Sequence, residues 1–285
     1  MTTPRRLPDF LIIGAAKAAT TWIVHQLQQH PDVFLPGPEP HYFSSAFDLG
    51  PDWYAAWFAA AGRGQLVGEK SADYLAHPEA PARIAAMLPD VKLVVQLRNP
   101  IERAYSDYCM FYRRGMVDKP PESYLRHDAT LPRFLEDGLY HRHLARWLEV
   151  FPRDRIALIL HEDIRAQPET VIAMVSRHLG IAPRIAEQEV VARVNDSQAP
   201  ILPLALRTLL APVKDRVAPL RDRAWFRAAH AAIARPPRYP PLTADLRRRL
   251  RDFYHDDVLR LGALLGRDVS PWLAVDDRVA GDRAA

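Results

Sequence analysis

The sequence predicts a three-layer α/β fold, a central parallel sheet flanked by helices. Three observations predict it. Four short β-branched or Leu-rich runs, residues 10–13, 65–67, 91–97 and 155–160, have the length and composition of buried strands. Helical patterns such as "APARIAAMLP" and "LYHRHLARWLEVFP" separate them, and such alternation argues for parallel strands covered on both faces. With 285 residues, the chain can bury a sizeable core.

Taken in order, the first strand stops at Gly14. The loop "GAAKAATT", residues 14–21, follows, and then a helical pattern with Ile23 and Leu27 one turn apart. Strand, small-residue loop and helix together present backbone N–H groups and a helix N-terminus to a phosphate, which makes the fold P-loop-like. A Walker A loop reads G-x-x-x-x-G-K-[ST]. Gly14 fits its first glycine and Thr21 its hydroxyl, but Ala19 replaces the second glycine and Thr20 the lysine. The loop's lysine is Lys17.

The proline-bounded loop "PGPEPHYFSS" carries Glu39 and His41, and the second strand leads to Glu69 and Lys70. The third ends at Arg98; Asn99 suits a helix cap, Pro100 the first helical position and Glu102 the first turn. Tyr105, Tyr108, Phe111 and Tyr112 on that helix read as core and pocket wall. The fourth strand leads to Glu162 and Asp163. Ligands of open α/β sheets bind beyond the carboxyl ends of the strands. Lys17, Lys70 and Arg98 should therefore share one edge with several carboxylates, which predicts an anion site.

Organisation follows as one domain, 1–285: a nucleotide-binding core over 8–180, a basic, proline-rich segment over 181–241, and a C-terminal helical region over 242–272. Thr243 suits that helix's N-cap and Gly266 its end.

Lys plus Arg number 38 against 34 Asp plus Glu, a net charge of +4. That suits an anionic ligand but falls short of nucleic-acid binding. One cysteine, Cys109, excludes an intramolecular disulfide and argues against a Cys-ligated zinc. His141 and His143, two apart, would face different sides of a helix, and "HEDIR" is not H-E-x-x-H, so no metal is expected. No apolar run approaches the ~18 residues of a membrane span. The expected location is cytoplasmic, and the abundance of Ala, Arg and Pro hints at a GC-rich bacterial genome.

"PDFLIIGAAKAATT" followed by "LRNPIERAYSDY" resembles the sulfotransferases that use 3′-phosphoadenosine 5′-phosphosulfate (PAPS), and most of all their heparan sulfate branch and its bacterial relatives. The likeness covers roughly residues 8–180 well and 242–272 weakly. It implies that Lys17, Ala18, Ala19, Thr20 and Thr21 grip the 5′-phosphosulfate, and that Arg98 and Ser106 hold the 3′-phosphate. It implies Glu39 as catalytic base and Lys70 as a second cation at the transferring group; His41 either orients Glu39, touches the acceptor or packs as a loop histidine. A lysine and amides aimed at the bridging oxygen would stabilise the leaving 3′,5′-bisphosphate (PAP) without an obligatory metal.

Ala19 and Ser44 depart from the family pattern, which has a second loop glycine and, in the heparan sulfate branch, an aspartate at these places. "VNDSQAP", with Asn195 and Ser197, is a candidate nucleotide contact. The acceptor is any hydroxyl-bearing sugar, lipid, phenol or secondary-metabolite alcohol. The alternatives are a P-loop kinase using Mg-ATP, which Thr20 argues against, and a nucleotide-binding module without catalysis.

Overall fold

A computed structural model describes residues 5–185, 223 and 233–274. Its five strands are β1 (Phe10–Gly14), β2 (Val33–Phe34), β3 (Leu66–Lys70), β4 (Lys92–Leu97) and β5 (Ile156–Leu160). They form one parallel sheet in the order β2-β3-β1-β4-β5. Among the described residues the helices are α1 (Thr21–Gln28), α2 (Gly50–Ala56), α3 (Ala80–Met87), α4 (Pro100–Arg114), α5 (Arg133–Glu136), α6 (Tyr140–Leu148), α7 (His161–Ala166), α8 (Pro168–Leu179) and α9 (Ala244–Leu265).

Strand β1 explains the layering. Its side chains alternate across the sheet. Phe10 and Ile12 pack with Ile23 and Leu27 of α1 and Val171, Val175 and Leu179 of α8. Leu11 and Ile13 join the opposite cluster, which takes Ile84 of α3, Tyr108 of α4, Trp147 of α6 and Tyr254 of α9. Both faces of the sheet are therefore covered, as the apolar runs predict. Phe10 lies opposite Gly68, and a Cβ on Gly68 would stand 2.1 Å from the Phe10 ring, so only glycine fits there.

Strand β3 runs further than expected. Gly68, Glu69 and Lys70 pair with Phe10, Leu11 and Ile12, so Glu69 and Lys70 lie inside the strand and not beyond it. Polarity misled the sequence reading, because tertiary partners satisfy the Glu69 carboxylate within the core. The two-residue edge strand β2, opposite Leu66 and Val67, is too short to leave a pattern.

Helix ends follow their chemistry. Asn99 accepts from the N–H groups of Ile101 and Glu102, Thr243 Oγ1 from Leu246, and Gly115 and Gly266 close α4 and α9 at φ +73° and +61°. Helix α6 has no local side-chain cap; Asp257 of α9 supplies one, accepting from His141 N at 3.0 Å and Arg142 N at 3.1 Å. Among the described residues no helix is long and apolar enough to cross a membrane.

Candidate active site

The loop after β1 is pinned before it reaches α1. Gln96 of β4, fully buried, donates from its side chain to the Ala18 carbonyl and accepts from Ala15 N–H at its own carbonyl, 2.7 Å. Gly14 has φ +149°, and a Cβ there would meet Leu75 Cβ at 2.8 Å and the Ala72 carbonyl at 2.9 Å. Lys17 and Ala19 adopt φ of +66° and +65°, left-handed values that cost a non-glycine residue about 1–3 kcal/mol each. Position 19 therefore has the backbone that the usual glycine would favour, occupied here by alanine. Thr20 stands at the N-cap of α1 without a side-chain cap, and the first turn holds no carboxylate. This leaves the positive end of the helix facing the loop.

Arg98 follows β4, with Nη1 3.5 Å from the Lys17 carbonyl and Nη2 3.9 Å from Glu102. Glu102, Ser106 and Met110 recur every four residues along one face of α4. Lys17 covers that face: its carbonyl lies at the Arg98 end and its ammonium 3.7 Å from Met110 Sδ. Ser106 sits on the stripe between them. Burial, reinforced by Arg114 and Arg98 and opposed by Asp107, holds the Lys17 ammonium below the usual lysine pKa.

The second group comes from the 39–44 loop and the end of β3. Lys70 Nζ donates to Glu39 Oε1, and Ala72 N–H donates to Glu39 Oε2 at 2.9 Å. His41 Nε2 stands 3.9 Å from Glu39 Oε2, while its Nδ1 is 2.7 Å from Asp73 Oδ1. Ser44 Oγ donates to the other Asp73 oxygen at 2.6 Å. The hydrogen bond to Asp73 raises the His41 pKa, with Glu39 and Glu69 adding to it. Burial would raise that of Asp73, but the bonds from His41 and Ser44 hold it low.

One residue joins the two groups. Ala72 binds Glu39 through its N–H, and its carbonyl lies against Gly14. The Glu39–Lys70 pair thus stands at the start of the phosphate-type loop.

The family profile described as "Sulfotransferase domain" matches residues 7–198. This chain belongs to the sulfotransferase family. A sulfotransferase from Alicyclobacillus acidocaldarius superposes with a TM-score of 0.70 at 25% identity, over 94% of this chain and 100% of that one. Mouse heparan sulfate glucosamine 3-O-sulfotransferase 6 is 35% identical over 183 residues, 62% of this chain and 53% of its own. Mouse heparan sulfate glucosamine 3-O-sulfotransferase 3B1 is 29% identical over 270 residues, 93% of this chain and 65% of its own. The chain therefore spans between half and two thirds of the length of these two mouse relatives.

In this member of the family, Lys17, Ala18, Ala19, Thr20 and Thr21 form one loop facing Arg98, and Glu39, Lys70 and His41 form the adjoining cluster. Glu162 and Asp163 do not join the anion edge. Glu162 accepts from Trp272 Nε1 at 2.8 Å and Asp163 binds Arg267 at 2.5 and 2.9 Å, so both fasten the C-terminal segment. Lys70 pairs with Glu39 and not with its neighbour Glu69. Asn195 and Ser197 lie outside the described residues, as does most of 181–241.

Sequence reasoning named Glu69 but not its supporting role, and missed Ser71 and Asp73. Glu69 is fully buried and accepts from Tyr54 OH and from Ser71 Oγ at 2.7 Å; Ser71 Oγ accepts in turn from His41 N–H at 3.0 Å. Burial pushes the Glu69 pKa up to about 7. The only signal for Asp73 was its place in "EKSADY". Among the described residues, Glu39, His41 and Asp73 bring metal-type atoms within 4.8 Å of one another. Lys70 and the His41–Asp73 bond already engage them, so we assign no metal to the cluster.

Proposed function

We propose that this chain transfers a sulfuryl group from PAPS to a hydroxyl of a carbohydrate acceptor, without a required metal ion. The observation that carries the reading is the Ala72 link, which sets the Glu39 carboxylate beside a phosphate-type loop that holds a lysine and an uncapped helix N-terminus. The curated relatives named above act on glucosamine residues of heparan sulfate, which favours a sugar as acceptor.

The acceptor oxygen attacks sulfur as the bond from sulfur to the bridging oxygen breaks, and PAP departs with the negative charge. Glu39 accepts the hydroxyl proton, since an alcohol attacks well only as its proton is taken. Lys17 and the amides of residues 18–21 face the oxygen on which charge develops. Arg98 and Ser106 hold the 3′-phosphate. Lys70 neutralises Glu39 in the free protein and turns to the sulfuryl oxygens when the donor binds.

The test compares melting temperatures with PAP in EDTA and with ATP in excess Mg²⁺, followed by transfer of ³⁵S from PAPS. A ligand at 100 times its Kd adds about 2.7 kcal/mol, a readily measured shift. PAP stabilisation without metal, and label on an N-sulfated heparan hexasaccharide but not on 4-nitrophenol, is the expected result. Stabilisation by Mg-ATP alone overturns the donor assignment in favour of a kinase. PAP stabilisation with no transfer to either acceptor overturns the assigned reaction.

A further inference from the structure

Asp73 has a geometry that the proposed reaction does not explain. Its two carboxylate oxygens divide between two residues of one turn: Oδ1 lies 2.7 Å from His41 Nδ1, and Oδ2 accepts from Ser44 Oγ at 2.6 Å. Ser44 Oγ also lies 3.1 Å from the His41 carbonyl. His41 itself has φ +52°, a conformation that a non-glycine residue keeps only where its surroundings over-determine it. Here they do. Ser71 Oγ takes its N–H, Asp73 takes its ring, and Arg83 of α3 holds the carbonyls of Phe43 and Ser44 at 3.2 Å each. Strain of this kind clusters at functional sites, and the residue held in it faces the candidate base.

The chemistry of the ring follows from its partner. An ionised carboxylate only accepts, so Nδ1 must carry the hydrogen. The other nitrogen, Nε2, is the one 3.9 Å from Glu39 Oε2. A bond at one ring nitrogen sets the state of the other, and with it what the ring offers to a substrate. Asp73 approaches from the loop after β3, whereas His41 and Glu39 belong to the loop between β2 and α2, so tertiary contact alone creates the arrangement.

We propose that Asp73 is the positioning residue of His41: it takes the Nδ1–H, fixes the ring in the strained turn, and leaves Nε2 as the atom presented to Glu39 and the acceptor hydroxyl. Its consequence for rate rests on the sulfotransferase reading; its consequence for the imidazole does not. The charged groups acting on His41 are Asp73 from the loop after β3, Glu39 from its own loop and Glu69 from β3; the cations nearby are Lys70, bound to Glu39, and Arg83 of α3, bound to the carbonyls of Phe43 and Ser44. Asp73 is therefore the carboxylate whose removal should change the ring most.

The experiment uses the full chain labelled with ¹⁵N-histidine. Long-range ¹H–¹⁵N spectra give the tautomer and titration of His41, assigned by its loss in His41→Gln. Asp73→Ala should lower the His41 pKa towards the ordinary histidine value and move the neutral ring's hydrogen from Nδ1 to Nε2. Asp73→Asn, which keeps an acceptor but no charge, should lower the pKa yet retain the Nδ1–H. In ³⁵S transfer from PAPS to the N-sulfated heparan hexasaccharide, Asp73→Ala should lose tenfold or more in kcat, and Asp73→Asn should recover part of it. The melting shift with PAP should stay unchanged in both. An unchanged tautomer in Asp73→Ala overturns the proposal, and so does a fall in kcat matched by loss of the PAP shift, which would mark a structural role only. If neither alanine nor asparagine folds at this position, Ser44→Ala, which frees Oδ2, is read by the same spectra and rates. If the wild type binds PAP but transfers nothing, the proposed reaction fails, and the spectra alone decide the His41–Asp73 assignment.

Discussion

Lys70 and Glu39, 31 residues apart, form an ion pair in which the lysine side chain is 17% exposed and the glutamate 30%. The second contact of Glu39, to Ala72 N–H, comes from the same stretch of chain just past β3. The candidate base is thus held from one side by a charge and a backbone amide, and its loop is not free to carry it away.

Replacing Glu39 by glutamine keeps the side chain's shape but removes the proton acceptor, and leaves one acceptor oxygen for the two donors, Lys70 and Ala72 N–H. General-base catalysis contributes typically 10²–10⁴-fold, and we expect a loss of about that size in kcat for ³⁵S transfer. PAP should still raise the melting temperature, since Glu39 lies outside the loop that would hold the nucleotide. A parallel loss of PAP binding would instead make Glu39 part of the nucleotide site.

Ala19 has φ +65° in the loop, where glycine carries no steric penalty. Ala19→Gly should therefore stabilise the protein by about 0.5–1 kcal/mol despite the greater entropy of glycine in the unfolded chain. Differential scanning calorimetry should show a rise of roughly 2 °C. A fall in melting temperature would mean that the left-handed conformation is not populated at this position.

Burial pushes the Glu69 carboxyl up from the ordinary 4.5 to about 7 in the folded protein. Between these values the unfolded chain has released the proton and the folded chain still holds it. The unfolded state then binds fewer protons, so this group's contribution to stability falls as pH rises from about 4.5 to 7. Glu69→Gln, neutral at every pH, should remove that decline. Urea unfolding at pH 5 and pH 8 checks it: the variant should gain on the wild type at the higher pH.

Asp257 caps α6 from across the interface with α9, accepting from two otherwise unpaired N–H groups. Asp257→Ala should cost about 1 kcal/mol, in the range for loss of an N-cap. The urea midpoint should fall with the slope m unchanged. Neutral substitution of the exposed neighbour Asp256 is the control.

What was legible and what was not divides on physical grounds. The apolar runs of β1 and β4 named the central strands, because a strand buried on both faces must be apolar throughout. Asn99, Pro100, Thr243 and Gly266 marked helix ends, because caps are settled by residues close in sequence. The loop from Gly14 to Thr21 was legible for the same reason: strand, loop and helix are contiguous, and so is the run from Arg98 to Ser106.

Only the tertiary structure decided how the carboxylates are used. Glu162 and Asp163 stand at a strand end, as expected, yet Trp272 and Arg267 claim them. Glu69 lies in a central strand because Tyr54 and Ser71 satisfy it there, and Asp73 meets His41 because β3 delivers it beneath the 39–44 loop. A carboxylate's role depends on which donors reach it in space, and sequence spacing carries that information only for neighbours along the chain. The sequence by itself therefore determined the central strands, the helix ends that carry their own caps, and the strand–loop–helix unit from Gly14 to Thr21. The pairing of Glu39 with Lys70 and of His41 with Asp73 arose when the chain closed on itself.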